Sequence, residues 1–239
     1  MKMGYMTVMA AMGGMVAIMG CSNSVPDPVK TSDLPKEKES IAIYIVWDGS
    51  GSMADSVFNS GGAKESKDAI SRRALKAIGD RLDQYIAMSP NRAIGLGIVI
   101  LNKYSISHGG FGVADNTHKA SDIISKWFIP SPDGGTPLGF AMQLASDQLA
   151  LLKNVSNKHI LVLTDGGSNS GPTPEAIMDE ISKSGIKDGI HFVAFDVDAD
   201  LFKPIREKGA TVVGASNEKE LNEKFDFILK EKILLERED

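Results

Sequence analysis

From Ile41 onward, apolar runs rich in β-branched residues alternate with helix-like segments to the end of the chain, and this alternation most constrains the fold. Residues 41–48 form an unbroken apolar run that ends in an aspartate, a pattern typical of a strand covered on both faces. Further predicted strands are 93–101, 105–111, 159–165, 189–197 and 210–214. The sequence therefore predicts an α/β fold with a mostly parallel sheet, helices on both faces and right-handed crossovers.

Apolar residues recur at helical spacing between the predicted strands. The predicted helices are 64–88, 120–128, 137–153, 174–184, 201–208 and a last one from 218 to about 231. Thr136 is placed to cap the third of these, with Pro137 at its first position. We expect residues 41–239 to form one domain, because a single α/β domain of about 200 residues is ordinary.

Composition excludes several classes of function. The formal net charge is −5, and no cluster of lysines and arginines could neutralise a row of phosphates, so nucleic acid is not expected as a partner. No stretch has the spacing of a phosphate-binding loop, so no nucleotide site is expected. The four histidines have no carboxylate or cysteine at ligand spacing, and we expect solvated or packed imidazoles.

The first 20 residues have the order of a secretory signal peptide, with a basic start at Lys2, an apolar middle and small residues before Cys21. Residues 18–21 resemble a bacterial lipobox, in which the cysteine is lipidated and becomes the first mature residue. An uncleaved N-terminal helix is the alternative anchor, because the apolar stretch is close to the minimum for a membrane span. A third possibility is an ordinary signal peptide without lipidation. Cys21 is the only cysteine, so no intramolecular disulfide can form.

Residues 21–40 are predicted to be a disordered membrane tether. They contain three prolines, many charged residues and almost nothing apolar to bury, so ordering would cost entropy without compensation. Together with the lipidation site, the tether predicts a domain anchored by lipid in the bacterial cell envelope, on the periplasmic or outer-membrane side.

Oxygen-bearing side chains cluster where predicted strands end and a predicted helix begins. Asp48, Ser50 and Ser52 alternate along the chain after the first strand, so their side chains can converge. Thr136 precedes a helix, and Asp165 ends another strand. In open α/β sheets ligands bind at the carboxyl ends of strands. These hard donors predict a site for Mg²⁺, with Mn²⁺ as an alternative, and disfavour zinc.

This order of Asp-x-Ser-x-Ser, a distant Thr and a distant Asp resembles the metal-ion-dependent adhesion site of von Willebrand factor A domains, and the resemblance covers residues 41 to about 232. It implies strand order 3-2-1-4-5-6, with a short antiparallel third strand at the edge. It also implies that the hydroxyls bind the ion directly, that the aspartates bind directly or through water, and that a partner's carboxylate takes the last coordination position.

The resulting function is a non-enzymatic, Mg²⁺-dependent protein-binding module, an adhesion or scaffold protein that grips an acidic side chain of its partner. A metal-dependent phosphohydrolase is one alternative, but related aspartyl phosphatases have Asp-x-Asp after the first strand, and the second aspartate is here Ser50. An accessory subunit of an ATPase or chelatase-type assembly is another. The signal segment disfavours it, because those partners work in the cytoplasm.

Overall fold

The computed structural model describes residues 33–184, 186 and 189–235. The predicted signal peptide, the lipidation site Cys21 and the tether residues up to 32 lie outside these ranges. Within them, no helix combines the length and the apolar character that crossing a bilayer requires.

The described strands form one large sheet and one small one. Six strands form the large sheet in the order β5-β4-β1-β6-β7-β8, and β2 pairs with β3 separately. The strands are β1 Glu39–Asp48, β2 Ser56–Phe58, β3 Lys64–Ser66, β4 Arg92–Asn102, β5 Ser105–Ala114, β6 Asn157–Thr164, β7 Ile190–Phe195 and β8 Thr211–Ala215. Counted within the large sheet this order is 3-2-1-4-5-6, and β5 is its antiparallel edge strand. The predicted α/β fold and strand order are confirmed.

Helices cover both faces of the large sheet. They are α1 Lys67–Met88, α2 Ala120–Ser125, α3 Leu138–Leu151, α4 Pro174–Lys183, α5 Lys203–Glu207 and α6 Glu218–Ile228. Short 3₁₀ turns span Gly51–Ala54 and Ala199–Phe202, and a π-helical turn, Leu229–Ile233, continues α6. Residues of α1, α2 and α6 pack in one apolar core, and residues of α3, α4 and α5 pack in the other.

The alternation of side chains along β1 builds both cores. Ile43, Ile45 and Trp47 belong to the core under α1 and α6. Tyr44 and Val46 point the other way, into the core under α3 and α4. Because β1 lies at the centre of the sheet and is buried on both faces, its end is held rigidly.

Among the element boundaries that differ from the sequence-based expectation are those of β3 and β5. Residues 64–66 pair with β2 as strand β3 instead of starting the long helix, which Ser66 caps by accepting a hydrogen bond from the Ala69 amide at 3.2 Å. The edge strand β5 is ten residues long and not short. It continues to Ala114 because Phe111 and Val113 find apolar contacts on the α3 side of the sheet.

Thr136 does not cap α3. The helix begins at Leu138, Pro137 occupies the cap position, and no side chain caps the helix. Instead, the Thr136 amide donates to Asn169 Oδ1 at 2.7 Å, and its carbonyl accepts from the Asn169 amide at 3.1 Å. These bonds hold Thr136 in a loop outside the helix.

Contacts with the domain begin before the predicted domain boundary. Strand β1 starts at Glu39, and Leu34 is only 2% exposed. The Asn154 side chain donates to the Leu34 carbonyl at 2.9 Å. The last residues of the predicted tether therefore lie against the domain, because Leu34 finds a place in the core beside α3.

Two buried histidines pair on neighbouring strands. His159 Nδ1 of β6 lies 3.2 Å from His191 Nε2 of β7, and the rings stack. Burial lowers the pKa of His159 to about 4. Burial, with the nearby charges of His159 and Lys232, lowers the pKa of His191 to about 3. Both imidazoles are packed and neutral at neutral pH.

This pair makes stability depend on pH. Each imidazole takes up a proton in the unfolded chain near pH 6.5 but resists it when folded, so the contribution is complete above that pH and is lost as pH falls towards the folded values. We expect His191→Leu to reduce the loss of unfolding free energy between pH 6.5 and 4.5 by about 2 kcal/mol. Urea denaturation at both pH values measures this.

His118→Gln is the matched control, because His118 has a side chain that is 74% exposed. Its pH profile should follow that of the wild type. If the unfolding free energy of His191→Leu depends on pH as that of the wild type does, His191 is not the buried neutral group described here.

Candidate metal site

The candidate metal site lies where the carboxyl ends of β1 and β6 meet. Trp47 of β1 pairs with Leu163 of β6, so the next residues, Asp48 and Thr164, are neighbours. The Thr164 hydroxyl donates to Asp48 Oδ2 at 2.6 Å, and the Ser50 amide donates to Asp48 Oδ1 at 2.9 Å. Both carboxylate oxygens of Asp48 are thus held in place by the backbone and side chains of two strand ends.

The two serines connect this loop to the second aspartate. Ser50 Oγ and Ser52 Oγ are 3.2 Å apart. Ser52 Oγ donates to Asp165 Oδ1 at 2.8 Å, although 113 positions separate the two residues in the chain. Four of the five predicted ligands are therefore connected in the structure. Asp48 contacts the Ser50 backbone, Ser50 contacts Ser52, and Ser52 contacts Asp165.

The loop that carries Thr136 lies against the serine loop. The Gly51 amide donates to the Gly134 carbonyl at 2.9 Å, and the Asp133 amide donates to the Gly49 carbonyl at 2.9 Å. Thr136 itself is 4% exposed. Its backbone is bonded to Asn169, while no hydrogen bond within the described part of the chain occupies its hydroxyl. That hydroxyl remains available as a ligand.

Two buried carboxylates give the site a need for positive charge. Asp48 is fully buried, and burial raises its pKa against the hydrogen bonds from Thr164 and Ser50, with the charge of Asp165 raising it further. Asp165 Oδ2 is buried and accepts no hydrogen bond of regular geometry from any described residue. A buried carboxylate oxygen without such a bond is costly unless a cation lies near it.

Lys67 lies beside Asp165, and the sequence analysis did not identify it. Its Nζ is 2.8 Å from Asp165 Oδ2 and 3.4 Å from Asp196 Oδ2. Burial alone would lower the pKa of Lys67, but the interactions with Asp165 and Asp196 outweigh it and the pKa is raised. The sequence contains many lysines, and Lys67 lies in a predicted helix outside any motif. No feature of the sequence therefore distinguished it from the others.

Two supporting residues also escaped the sequence analysis. Thr164 directly precedes Asp165, and the pairing of β6 with β1 places it beside Asp48, so alignment of the two strands could have suggested its role. Asn169 fixes the backbone of Thr136, but its place in a glycine- and serine-rich loop carried no such signal.

The donors present fit a hard divalent cation. Three of the five are hydroxyls, which explains why the described residues contain no group of three or more His, Cys, Asp or Glu side chains suited to a metal. Two carboxylates and three neutral hydroxyls are oxygen donors of the kind that Mg²⁺ and Mn²⁺ accept, whereas zinc usually takes nitrogen and sulfur donors.

Solved structures share this fold. The PilB minor pilin from Streptococcus sanguinis matches with a TM-score of 0.60 and 20% sequence identity, over 86% of this chain and 62% of the pilin. The pilus adhesin SpaC from Lactobacillus rhamnosus GG matches with a TM-score of 0.59 and 14% identity, over 84% of this chain and 31% of SpaC.

A third match is proximal thread matrix protein 1 from the mussel byssus, described with a zinc-occupied MIDAS motif, the abbreviation for metal-ion-dependent adhesion site. Its TM-score is 0.58 at 15% identity, over 80% of this chain and 48% of that protein. The chain thus spans less than two thirds of each of these proteins. No protein-family model matches the sequence, and no curated protein matches it significantly. These likenesses show that the α/β fold of this chain is shared with these three proteins.

Gly134 joins the loop that carries Thr136 to the serine loop, at a position where only glycine fits. Its φ is +76°, and an added Cβ would lie 2.7 Å from Lys103 Cα. We expect Gly134→Ala to lower the unfolding free energy by about 2–4 kcal/mol, through backbone strain and steric overlap. Urea denaturation measures the loss.

Gly62→Ala separates strain from overlap. Gly62 also has a positive φ, +81°, but an added Cβ would meet nothing within 4 Å. This control should cost only about 1 kcal/mol. Equal losses in the two variants would show that the contact of Gly134 with the neighbouring turn is unimportant.

Proposed function

We propose that this chain is a non-enzymatic, metal-dependent protein-binding module of the bacterial envelope, an adhesion or scaffold protein. In this proposal Asp48, Ser50, Ser52, Thr136 and Asp165 hold Mg²⁺, or Mn²⁺ in its place. The partner is a protein that presents an acidic side chain at the metal.

One observation carries the proposal, namely the chain of contacts from Asp48 through Ser50 and Ser52 to Asp165. These residues lie at the ends of two different strands, where Asp48, Ser50 and Asp165 are buried and Ser52 is exposed beside them. The bond from the Ser50 amide to Asp48 is one that ordinary turns also make, but the bond from Ser52 to Asp165 joins the ends of two different strands. A convergence of four oxygen-bearing side chains across 113 positions, three of them buried, is better explained by a shared ligand.

The charges of the donors suit capture of an anion. Asp48 and Asp165 contribute two negative charges, and the three hydroxyls are neutral, so a divalent cation here would not be over-neutralised. A bound divalent cation supplies a positive centre to which a partner's carboxylate can bind. The chain's own part is to fix the donors: Thr164 orients Asp48, and Asn169 orients the backbone of Thr136.

The structural neighbours support a role in binding at the cell surface. Two are named as a minor pilin and a pilus adhesin, and a third as a matrix protein with a MIDAS motif. Because the identities are low and the chain spans only part of each protein, their partners are not transferred to this chain. The zinc in the matrix protein supports a divalent metal, and the donor set favours Mg²⁺ for this chain.

The proposal assigns no catalysis. A phosphohydrolase of related topology needs a second acid two residues after the first aspartate, and Ser50 occupies that position. Magnesium-dependent hydrolysis of a phosphomonoester that disappears in Asp48→Asn would overturn this part of the proposal.

Removal of one carboxylate tests the metal site. We expect Asp48→Ala to weaken Mg²⁺ binding by at least about tenfold, because the ligand with the most fixed position is lost. The fold should survive, because Asp48 belongs to neither apolar core, although the Thr164 hydroxyl and the Ser50 amide each lose an acceptor. Isothermal titration with MgCl₂ and MnCl₂ measures affinity, and circular dichroism checks the fold.

Asp133→Ala is the matched control. It removes an aspartate charge from the same surface, but its side chain is 59% exposed and is not one of the proposed ligands. It should keep metal affinity within about twofold of the wild type. The same proteins, used for affinity capture from bacterial membranes, should retain a partner only with Mg²⁺ and an intact Asp48. Equal metal binding by the two variants would refute the site.

Anchoring by lipid at Cys21 is a separate part of the proposal, supported by the lipobox-like residues before it. We expect Cys21→Ser to accumulate as unprocessed precursor and to take up no labelled fatty acid in bacteria, because the acceptor thiol is gone. Mass spectrometry and fatty-acid labelling check this. Normal processing and labelling of the variant would exclude lipidation at Cys21.

A further inference from the structure

Lys67 places a positive charge inside the candidate metal site. Its side chain is 6% exposed, and that of Asp165 is fully buried. The ammonium lies 2.8 Å from the same Asp165 carboxylate whose other oxygen accepts a hydrogen bond from Ser52. Both oxygens of this proposed metal ligand are therefore engaged by groups of the chain itself.

The position of Lys67 is unfavourable for a lysine in other respects. It is the first residue of α1, where the helix dipole is positive and disfavours a cation. Burial of a long, flexible side chain also costs entropy and hydration. The two carboxylates around the ammonium must offset these costs, which makes the ion pair with Asp165 a specific feature of this site.

We propose that Lys67 is the resident counter-ion of the metal site. It neutralises Asp165 when no metal is bound, and it competes with the divalent cation for that carboxylate. This inference rests on the proposed function, because it requires that the site bind a metal. Lys67 then sets the metal affinity of the site below the value that the five oxygen donors alone would give.

Asp196 provides the second position for the ammonium. Its Oδ2 is 3.4 Å from Lys67 Nζ, and its side chain is 43% exposed. When Asp165 turns to a metal, Lys67 keeps a carboxylate partner in Asp196 and need not leave the site unpaired. Asp196 thus favours metal binding by drawing Lys67 away from Asp165, although it is not a proposed ligand.

Opposite charge changes test this arrangement in the purified full-length chain. We expect Lys67→Met to bind Mg²⁺ and Mn²⁺ about tenfold more tightly than the wild type, because the competing cation is gone. Asp196→Asn should bind both ions several-fold more weakly, because Lys67 then has only Asp165 as partner. Asparagine tolerates the positive φ of 55° at this position. Isothermal titration measures all affinities.

Lys103→Asn is the control for a general effect of charge. Lys103 lies on the turn beside Gly134, but its side chain is 71% exposed. Its substitution should change affinity by less than about twofold at 150 mM salt, because exposed charges are screened. Damage to the fold would weaken metal binding by Lys67→Met. The proposal instead expects Lys67→Met and Asp196→Asn to change the affinity in opposite directions.

Thermal unfolding gives a second readout. In EDTA, Lys67→Met should melt below the wild type, and Mg²⁺ should raise its melting temperature by more than it raises that of the wild type. If the wild type binds the metal and Lys67→Met binds it equally well or more weakly, only the counter-ion inference is overturned. Binding by Lys67→Met but not by the wild type would support the inference and refute the proposed function. Binding by neither protein would overturn both.

Discussion

The parallel pairing of β1 with β4 on one side and β6 on the other is the constraint on which the rest of the structure depends. The pairing with β4 runs unbroken along all ten residues of β1, and the pairing with β6 brings Trp47 opposite Leu163. A shift of one residue would exchange the side chains between the two faces. It would mix the two apolar cores and move Asp48 away from Thr164, so the core and the site share one register.

Much of the fold could be predicted because its causes are local in sequence. Continuous apolar runs specify buried parallel strands, and helical spacing specifies the helices that cover them. The strand order came instead from the resemblance of the ligand pattern to a known family. Boundaries were less predictable. Residues 64–66 read as helix but pair with β2, where Glu65 forms an ion pair with Arg73 at 2.6 Å. Arg73 also pairs with Glu218 at 2.7 Å, and such a non-local contact leaves no periodic signal.

The candidate site also has one part that the sequence predicts and another that only the structure shows. Its five candidate oxygen donors are predicted from spacing, because alternation along extended backbone and the ends of parallel strands are expected to bring them to one edge. What surrounds them is non-local. The charge of Lys67 beside Asp165 and the bond from the Thr136 amide to Asn169 depend on segments that meet only in the folded chain. The electrostatics of the site, with two carboxylates around one buried ammonium, therefore had to be taken from the structure.

The most direct test of the account is the location of a metal in crystals soaked with Mn²⁺, by anomalous scattering. The account predicts one strong peak within about 2.3 Å of the hydroxyl oxygens of Ser50, Ser52 and Thr136, with Asp48 and Asp165 in direct or water-mediated contact. A peak elsewhere on the protein, or no peak between these loops at millimolar Mn²⁺, would contradict the claim that these donors share one ion.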